Sequence, residues 1–207
     1  FFHILCFAQN RVEDFPSITK EEFGMTKSFI KEDAPAEVLY KYYKYRVSQQ
    51  YEVEMVVFNR IKILNKNLAE KYLNVEIVLY EGKTEKEKID FLDAKTYNEE
   101  NGEIVISKVD KTAQLKSKID ENYNSLKFAF PNVKDGSIIE YFYIIKSPYI
   151  RELPKVYFEE DIPQKYIEYN LICPETVGYT LNLNGDLKES EKQVKTENHL
   201  GAKYSFW

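Results

Sequence analysis

Short segments in which apolar and polar residues alternate recur along this chain, and turn-forming dipeptides separate them. Between residues 51 and 63 every odd position except Asn59 is apolar, and the charged residues all fall on even positions. Alternation with period two is typical of a strand that buries one face. A strand of this length is unusual, so we predict a bulge near Asn59, the one polar residue on the odd face.

Asn-Gly and Asp-Gly dipeptides tolerate positive φ and therefore favour tight hairpins. They occur at 101–102, 135–136 and 184–185. We predict hairpins at all three, between 89–97 and 104–106, between 126–130 and 138–145, and after 179–183. The segment 75–79 precedes the first of these hairpins, and we expect the three segments 75–79, 89–97 and 104–106 to form a meander.

Helix signals are sparse, whereas strand signals extend to the end of the chain. Thr19 and Glu22 have the spacing of a capping box, which predicts one short helix near residues 20–25. Residues 138–145 are apolar on both faces except at Glu140, which indicates a central strand. The predicted fold is all-β and mainly antiparallel, a β-sandwich or related two-layer sheet with one short N-terminal helix.

Length and charge limit the classes of function. A chain of 207 residues can bury a substantial core, as one large domain or two small lobes. Lys and Arg total 29 against 34 Asp and Glu, with no basic block, which argues against nucleic acid as a partner. No segment approaches the roughly 20 apolar residues of a membrane span, so we predict no transmembrane segment.

The apolar run at 1–8 ends in Cys6-Phe7-Ala8, which places small residues at the positions that signal-peptide cleavage requires. We interpret residues 1–8 as the remnant of a signal peptide and the chain as exported. The alternative is that residues 2–8 form a first buried strand. The predicted organisation is then a lead-in with the short helix at 9–32 and a β-sandwich domain, truncated at its C-terminus, at 33–207.

The sequence predicts no catalytic centre. After cleavage at Ala8, Cys173 is the one remaining cysteine and His199 the one remaining histidine. Nucleophilic catalysis requires a thiolate, a base and a group that orients the base, and no Asp follows His199. We therefore expect Cys173 to be a small buried hydrophobe, and we expect no metal, no cofactor and no enzymatic activity in this chain.

Several segments resemble a known family. They lie at 33–39, 60–65, 94–98, 128–141 and 157–163, and the Phe-Pro-Asn-Val-Lys-Asp-Gly-Ser block at 130–137 is the most specific of them. Their order resembles the family called domain of unknown function 3857. The resemblance implies an exported all-β accessory domain of Gram-negative bacteria, in the periplasm or at the cell surface. It also implies a transglutaminase-like, cysteine-protease-type domain downstream, and it carries over no catalytic residue.

Candidate interaction residues come from the 130–137 block, from the aromatic residues of 138–145 and from the C-terminus. They are Asn132, Lys134, Asp135, Tyr141, Tyr143 and Trp207. The block also has a structural interpretation, in which Pro131 ends a strand and Asp135-Gly136 makes a turn.

The tyrosines at 40, 42, 43, 45, 141 and 143 suit an aromatic platform for a glycan or peptide, but tyrosine is also a preferred strand residue. Two functions therefore remain open. One is an accessory domain that serves a downstream enzyme, and the other is a free-standing glycan- or peptide-binding module. The reading frame beyond Trp207 would distinguish them, because an enzyme domain encoded there supports the first function and a stop codon supports the second.

The C-terminal residues 202–207 alternate like a strand and end on Trp207 without a turn or polar tail. A domain that ends on an exposed aromatic edge invites association. We therefore predict that this segment pairs with the sheet and that the natural polypeptide continues.

The signal-peptide interpretation predicts that a preparation secreted through the export pathway begins at Gln9, because the peptidase cuts after small residues at these positions. N-terminal sequencing of the secreted protein measures this directly. Retention of Phe1 to Ala8 in the folded, secreted protein would refute the interpretation.

Overall fold

The structure, a computed structural model, describes residues 15–174 and 176–180 together with the backbone of two strands at 195–199 and 202–206. One α-helix, α1, spans Lys20–Gly24, and short 3-10 helices lie at Glu70–Tyr72 and Lys111–Ala113. The strands are β1 (Ala36–Val47), β2 (Val53–Ile63), β3 (Asn74–Tyr80), β4 (Lys88–Glu100), β5 (Glu103–Lys108), β6 (Leu115–Lys118), β7 (Tyr123–Ala129), β8 (Ile138–Ser147), β9 (Ile167–Pro174), β10 (Lys195–His199) and β11 (Ala202–Phe206).

The strands form two sheets. The large sheet has eight strands in the order β10-β11-β9-β1-β2-β8-β4-β5, and the small sheet has the order β3-β7-β6. Neighbouring strands are antiparallel except β1 and β9, which are parallel. One hydrophobic core contains side chains of both sheets, such as Ile61 and Ile139 from the large sheet and Ile77 and Phe128 from the small one. The predicted all-β class is confirmed. None of the described helices is long and apolar enough to cross a membrane.

The prediction of a central strand at 138–145 is confirmed. The strand β8 lies between β2 and β4 and pairs with both along most of its length. Ile139 and Ile145 point into the main core, which also contains the small sheet. Ile138 points to the opposite face and packs beneath Met25 and Leu39. We call the face toward the small sheet the inner face and the opposite one the outer face.

The strand predicted at 51–63 exists as β2, but its predicted exposed face and its bulge were wrong. Both faces of β2 are buried, including the even-numbered Arg60 and Lys62, because the lead-in covers the outer face. Asn59 stays in register with both neighbouring strands, and its buried side-chain amide donates a hydrogen bond to the Tyr141 hydroxyl at 2.9 Å. The register shift lies in β1 instead, between Val38 and Tyr40.

Of the predicted turns and hairpins, the structure confirms some and contradicts others. The hairpin at Asn101-Gly102 is confirmed, with φ of 54° and 82° at these residues. The meander was wrong, because β3 pairs with β7 in the small sheet and not with β4. Gly136 does turn, with a φ of 86°, but β7 and β8 belong to different sheets, so the predicted hairpin was also wrong. The turn predicted at 184–185 lies outside the described residues.

At both ends of the described chain the structure confirms a sequence-based prediction. The helix α1 carries the predicted capping box, in which the Thr19 hydroxyl accepts from the Glu22 amide at 3.1 Å and the Glu22 carboxylate from the Thr19 amide at 2.6 Å. The strand β11 pairs with β9 and β10, which confirms sheet pairing for 202–206. Trp207 lies outside the described residues.

A buried lysine joins the lead-in to the large sheet. The Lys62 ammonium donates hydrogen bonds to the carbonyl of Phe23, at 2.8 Å, and to the carbonyl of Gly136, at 2.7 Å. Its side chain is fully buried, and this loss of solvation lowers its pKa to about 8. The native state therefore releases this proton near pH 8, whereas an unfolded chain holds it to about pH 10.4.

This difference predicts that the free energy of unfolding rises with pH between about 8 and 10, because the unfolded state then binds more protons. Between about pH 7.5 and 9.5, the free energy of unfolding should rise by about 1 to 2 kcal/mol less in Lys62→Met than in the parent chain. Urea unfolding curves at both pH values measure the effect, with Lys118→Met on the exposed strand β6 as the control. Equal pH slopes for Lys62→Met and the parent chain would contradict the prediction.

Candidate ligand-binding cleft

An aromatic cluster holds Phe15, the first described residue of the lead-in, against the outer face of the large sheet. The ring of Phe15 stacks on Phe58 with a centroid distance of 4.0 Å. It meets Tyr42 and Phe142 edge to face, at 5.3 and 5.4 Å. Three strands thus supply the rings that surround Phe15, and edge-to-face and stacked pairs add to the free energy of burial.

Arg60 ties the same segment down by charge. Its guanidinium donates to the Glu140 carboxylate on the neighbouring strand at 2.5 Å and to Glu22 of α1 at 3.4 Å. A further hydrogen bond goes to the carbonyl of Pro16. The guanidinium of arginine presents its N–H donors in a rigid planar fork, so one side chain serves all three partners. The cation is therefore neutralised by both the sheet and the lead-in.

A cleft of about 470 Å³ lies between the lead-in and strands β4, β5 and β8. Most of its lining is aromatic or aliphatic, and it includes Phe15, Phe58, Phe91, Tyr97, Ile104 and Phe142. Asp93 and Lys95 contribute an ion pair that remains partly exposed. Burial, and secondly the nearby Glu140, raise the pKa of Tyr97, so its hydroxyl stays protonated at neutral pH.

This cleft, which we call the lead-in cleft, has the character of a binding site. Apolar walls with a few polar groups suit a ligand that presents apolar side chains. Arg60 and Glu140, which also line the cleft, bind each other as an ion pair. Across 15–174 and 176–180, no group of three or more His, Cys, Asp or Glu side chains is placed to hold a metal ion.

The candidate residues of the 130–137 block lie elsewhere, at the end of the β4–β5 hairpin. Asn132, with a φ of 55°, donates to the Ser107 hydroxyl at 3.0 Å, and its carbonyl accepts from Asn98 at 2.9 Å. The hydroxyl of Ser137 donates to the Asn98 side chain at 2.5 Å. These bonds fasten the connection between the two sheets to the hairpin.

The remaining polar residues of the block also bind within the chain. Lys134 pairs with Glu100 at 2.9 Å, and the carboxylate of Asp135 accepts from the amide of Lys66 at 2.7 Å. Both side chains are exposed at the surface. The contacts support the structural interpretation of the block, while Lys134 and Asp135 remain accessible.

The predicted tyrosine platform is divided between the two faces of the large sheet. Tyr40 and Tyr42 lie on the outer face with Phe15, whereas Tyr45 packs in the main core. The rings of Tyr141 and Tyr143 stack on each other with centroids 6.2 Å apart, and both pack against the main core.

Burial raises the pKa of both Tyr141 and Tyr143, and the inner face on which they lie packs against the small sheet. Strand alternation explains the division of the platform, because neighbouring residues point to opposite faces. Trp207, the last candidate, lies outside the described residues.

A second cleft, of about 680 Å³, has no signal in the sequence. Tyr80, Tyr123 and Tyr149 form its aromatic wall, with ring centroids 5.3 Å apart for the first two and 4.9 Å for Tyr80 and Tyr149. Residues 148–155, which include Tyr149, supply most of the remaining lining. The three rings come from β3, β7 and the segment after β8, so only the tertiary fold brings them together. We call it the tyrosine cleft.

Cys173 is buried in β9, as predicted. Its thiol lies 3.6 Å from the carbonyl of Val177, and burial raises its pKa. A raised pKa keeps the group as a thiol, which is the unreactive form. His199, the other residue considered for catalysis, belongs to β10, which is described by its backbone alone.

The fold is similar to a crystal structure described as a "putative protease" from Parabacteroides distasonis. The TM-score is 0.59 over 84% of this chain, at 16% sequence identity, and the chain spans 35% of that protein. A yeast LTA4 hydrolase matches with a TM-score of 0.34 at 9% identity, over 83% of this chain and 26% of that one. A zinc metallopeptidase from Deinococcus radiodurans also gives 0.34, at 8% identity, over 85% of this chain and 39% of that one. These two scores are too low to support an argument.

Comparison with curated proteins gave no match. The family model of a domain of unknown function, DUF3857, matches residues 41–203, which is more than half of the chain. The match includes the 130–137 block that carries the resemblance in sequence. The chain therefore belongs to the DUF3857 family.

Proposed function

We propose that this chain is a non-catalytic, exported accessory domain that serves an enzyme domain of the same polypeptide. The observation that carries the proposal is the likeness to the Parabacteroides distasonis protein, of which this fold accounts for 35%. A fold that recurs as one part of a larger protein described as a protease fits a domain that assists catalysis elsewhere. We further propose that the enzyme domain is transglutaminase-like and of cysteine type, and that the protein acts in the periplasm or at the surface of a Gram-negative bacterium.

The chemistry of the described residues supports a role without catalysis. A cysteine nucleophile acts as the thiolate and needs a base within hydrogen-bond reach. Cys173 is a buried thiol whose pKa is raised, and its described partner is a backbone carbonyl. In the lead-in cleft, Arg60 and Glu140 are bound to each other. Such a site can hold a ligand in a fixed orientation.

We predict that the isolated chain shows no protease or transamidase turnover, and that Cys173→Ala changes stability alone. The substitution should lower the free energy of unfolding by about 1 kcal/mol, since it removes a small buried group. Peptidase and transamidase assays, with urea melts of the same samples, measure both effects. Cys173→Ser is the matched control, because it buries a hydroxyl of similar size at a larger cost. An activity that disappears in Cys173→Ala would refute the proposal.

The tyrosine cleft favours a second candidate function, a glycan- or peptide-binding module. Tyr123 keeps 42% of its surface exposed beside two further rings, and Val78 nearby is 47% exposed. Exposed aromatic faces with a polar hydroxyl are well suited to sugar rings and to extended peptides. This function requires no second domain.

For this second function, we predict that a ligand found by screening glycan and peptide libraries binds Tyr123→Ala about tenfold more weakly, as expected for a central aromatic contact. Isothermal titration calorimetry measures the affinities. Tyr157→Ala is the matched control, because Tyr157 is exposed and lies outside the cleft. Equal affinities in the two variants would exclude the tyrosine cleft as the site.

A further inference from the structure

Among the strands that the structure describes, four lie at sheet edges, and they differ in how well they are protected. The edge strand β10 has the sequence Lys-Thr-Glu-Asn-His, and β6 is short and carries two lysines. In β3 a glutamate precedes four apolar residues, of which Val78 alone is exposed. The strand β5 instead has three consecutive large apolar residues, Ile104, Val105 and Ile106, which are 46%, 40% and 52% exposed. Natural sheets usually protect their edges with charges or short strands, so β5 is the exception in this fold.

One side of β5 is open to pairing. The strand β4 occupies one side, from Lys95 opposite Lys108 to Glu100 opposite Glu103. No strand of the described residues pairs with the other side. An edge strand leaves alternate N–H and C=O groups without backbone partners, and an added strand satisfies them. Several domains bind extended peptides in this way.

Charge along this edge is asymmetric. Glu103 begins β5 beside Glu100, and Lys108 ends it opposite Lys95. Neither Glu103 nor Lys108 belongs to an ion pair within the described part of the chain. The edge thus has an acidic end and a basic end with apolar residues between them. A partner strand is attracted most when it places an acidic residue opposite Lys108 and a basic residue opposite Glu103.

We propose that the outer edge of β5 binds an extended, antiparallel peptide segment that is acidic at its N-terminal end, apolar in the middle and basic at its C-terminal end. An antiparallel strand places its first residue opposite Lys108 and its last opposite Glu103. Ile104 lines the lead-in cleft, so the apolar side chains of the segment that lie opposite Ile104 and Ile106 border that cleft. This inference rests on the proposed accessory role and names the partner that the domain would hold.

A second copy of β5 fits this edge less well. Two copies of β5 that pair symmetrically are related by a two-fold axis perpendicular to the sheet. This axis keeps each residue on the same face in both copies, and residues paired across antiparallel strands must share a face, so each residue pairs only with residues of its own face. Glu103 and Lys108 are five positions apart and therefore point to opposite faces. Their charges cannot meet across such an axis. Charge complementarity favours a segment of different sequence.

The test uses a capped synthetic peptide as long as β5, Asp-Thr-Val-Thr-Ile-Lys, added to the isotope-labelled full chain. We expect NMR amide shifts centred on β5 and its neighbour β4. The peptide with its two charges exchanged, Lys-Thr-Val-Thr-Ile-Asp, should bind about tenfold more weakly, since two cross-strand charge pairs become repulsive. This comparison requires no protein variant, so it does not depend on the folding of a mutant.

Variants of exposed residues add a second test. Ile106→Lys should abolish binding, and Glu103→Lys should weaken binding of the first peptide. Leu115→Lys on β6 is the matched control, because Leu115 is an exposed apolar residue at another edge, and it should leave binding unchanged. Circular dichroism melts check that each variant is folded.

Absence of shifts, shifts away from β5, or equal affinity for both peptides would overturn the inference. Self-association that Ile106→Lys abolishes would overturn it in favour of a second copy. None of these results alters the accessory role, which fails if the isolated chain proves to be catalytic or if no enzyme domain is encoded with it.

Discussion

The buried cation of Arg60 is the constraint on which the arrangement of the outer face depends. A charged side chain on a central strand needs neutralising partners, because an unpaired buried charge is strongly destabilising. Glu140 supplies one from the next strand and Glu22 another from the lead-in, where the carbonyl of Pro16 also accepts a hydrogen bond. The lead-in is therefore part of the folded domain, and it forms one wall of the cleft that we consider for ligands.

Local chemistry made part of this fold predictable. The Thr19 and Glu22 spacing, the Asn101-Gly102 turn and the two-sided apolar pattern of β8 each depend on neighbouring residues, and each prediction was confirmed. Burial of Arg60 and Lys62 could not be predicted in this way. Alternation assigns a charged face to solvent, whereas here a segment about forty positions earlier in the chain covers that face.

The candidate sites were predictable only in part, for a similar reason. The 130–137 block is recognisable in sequence, but its side chains bind the end of the β4–β5 hairpin and the start of the loop after β2. Both clefts combine residues from distant strands. Tyr80 and Tyr149 meet because β3 lies in the small sheet, and the expected meander had placed β3 elsewhere. An error in strand order thus hides a site even when each strand is identified correctly.

The parallel pairing of β1 with β9 has a consequence for how the chain folds. Lys41 pairs with Ile167, and Arg46 with Ile172, so the contact joins the beginning of the domain to a strand synthesised much later. Contacts between such distant residues close long loops and slow the folding reaction. Until β9 has emerged, one side of β1 lacks its partner. A chain that is still being synthesised must therefore keep the apolar residues of β1 from aggregating until β9 arrives.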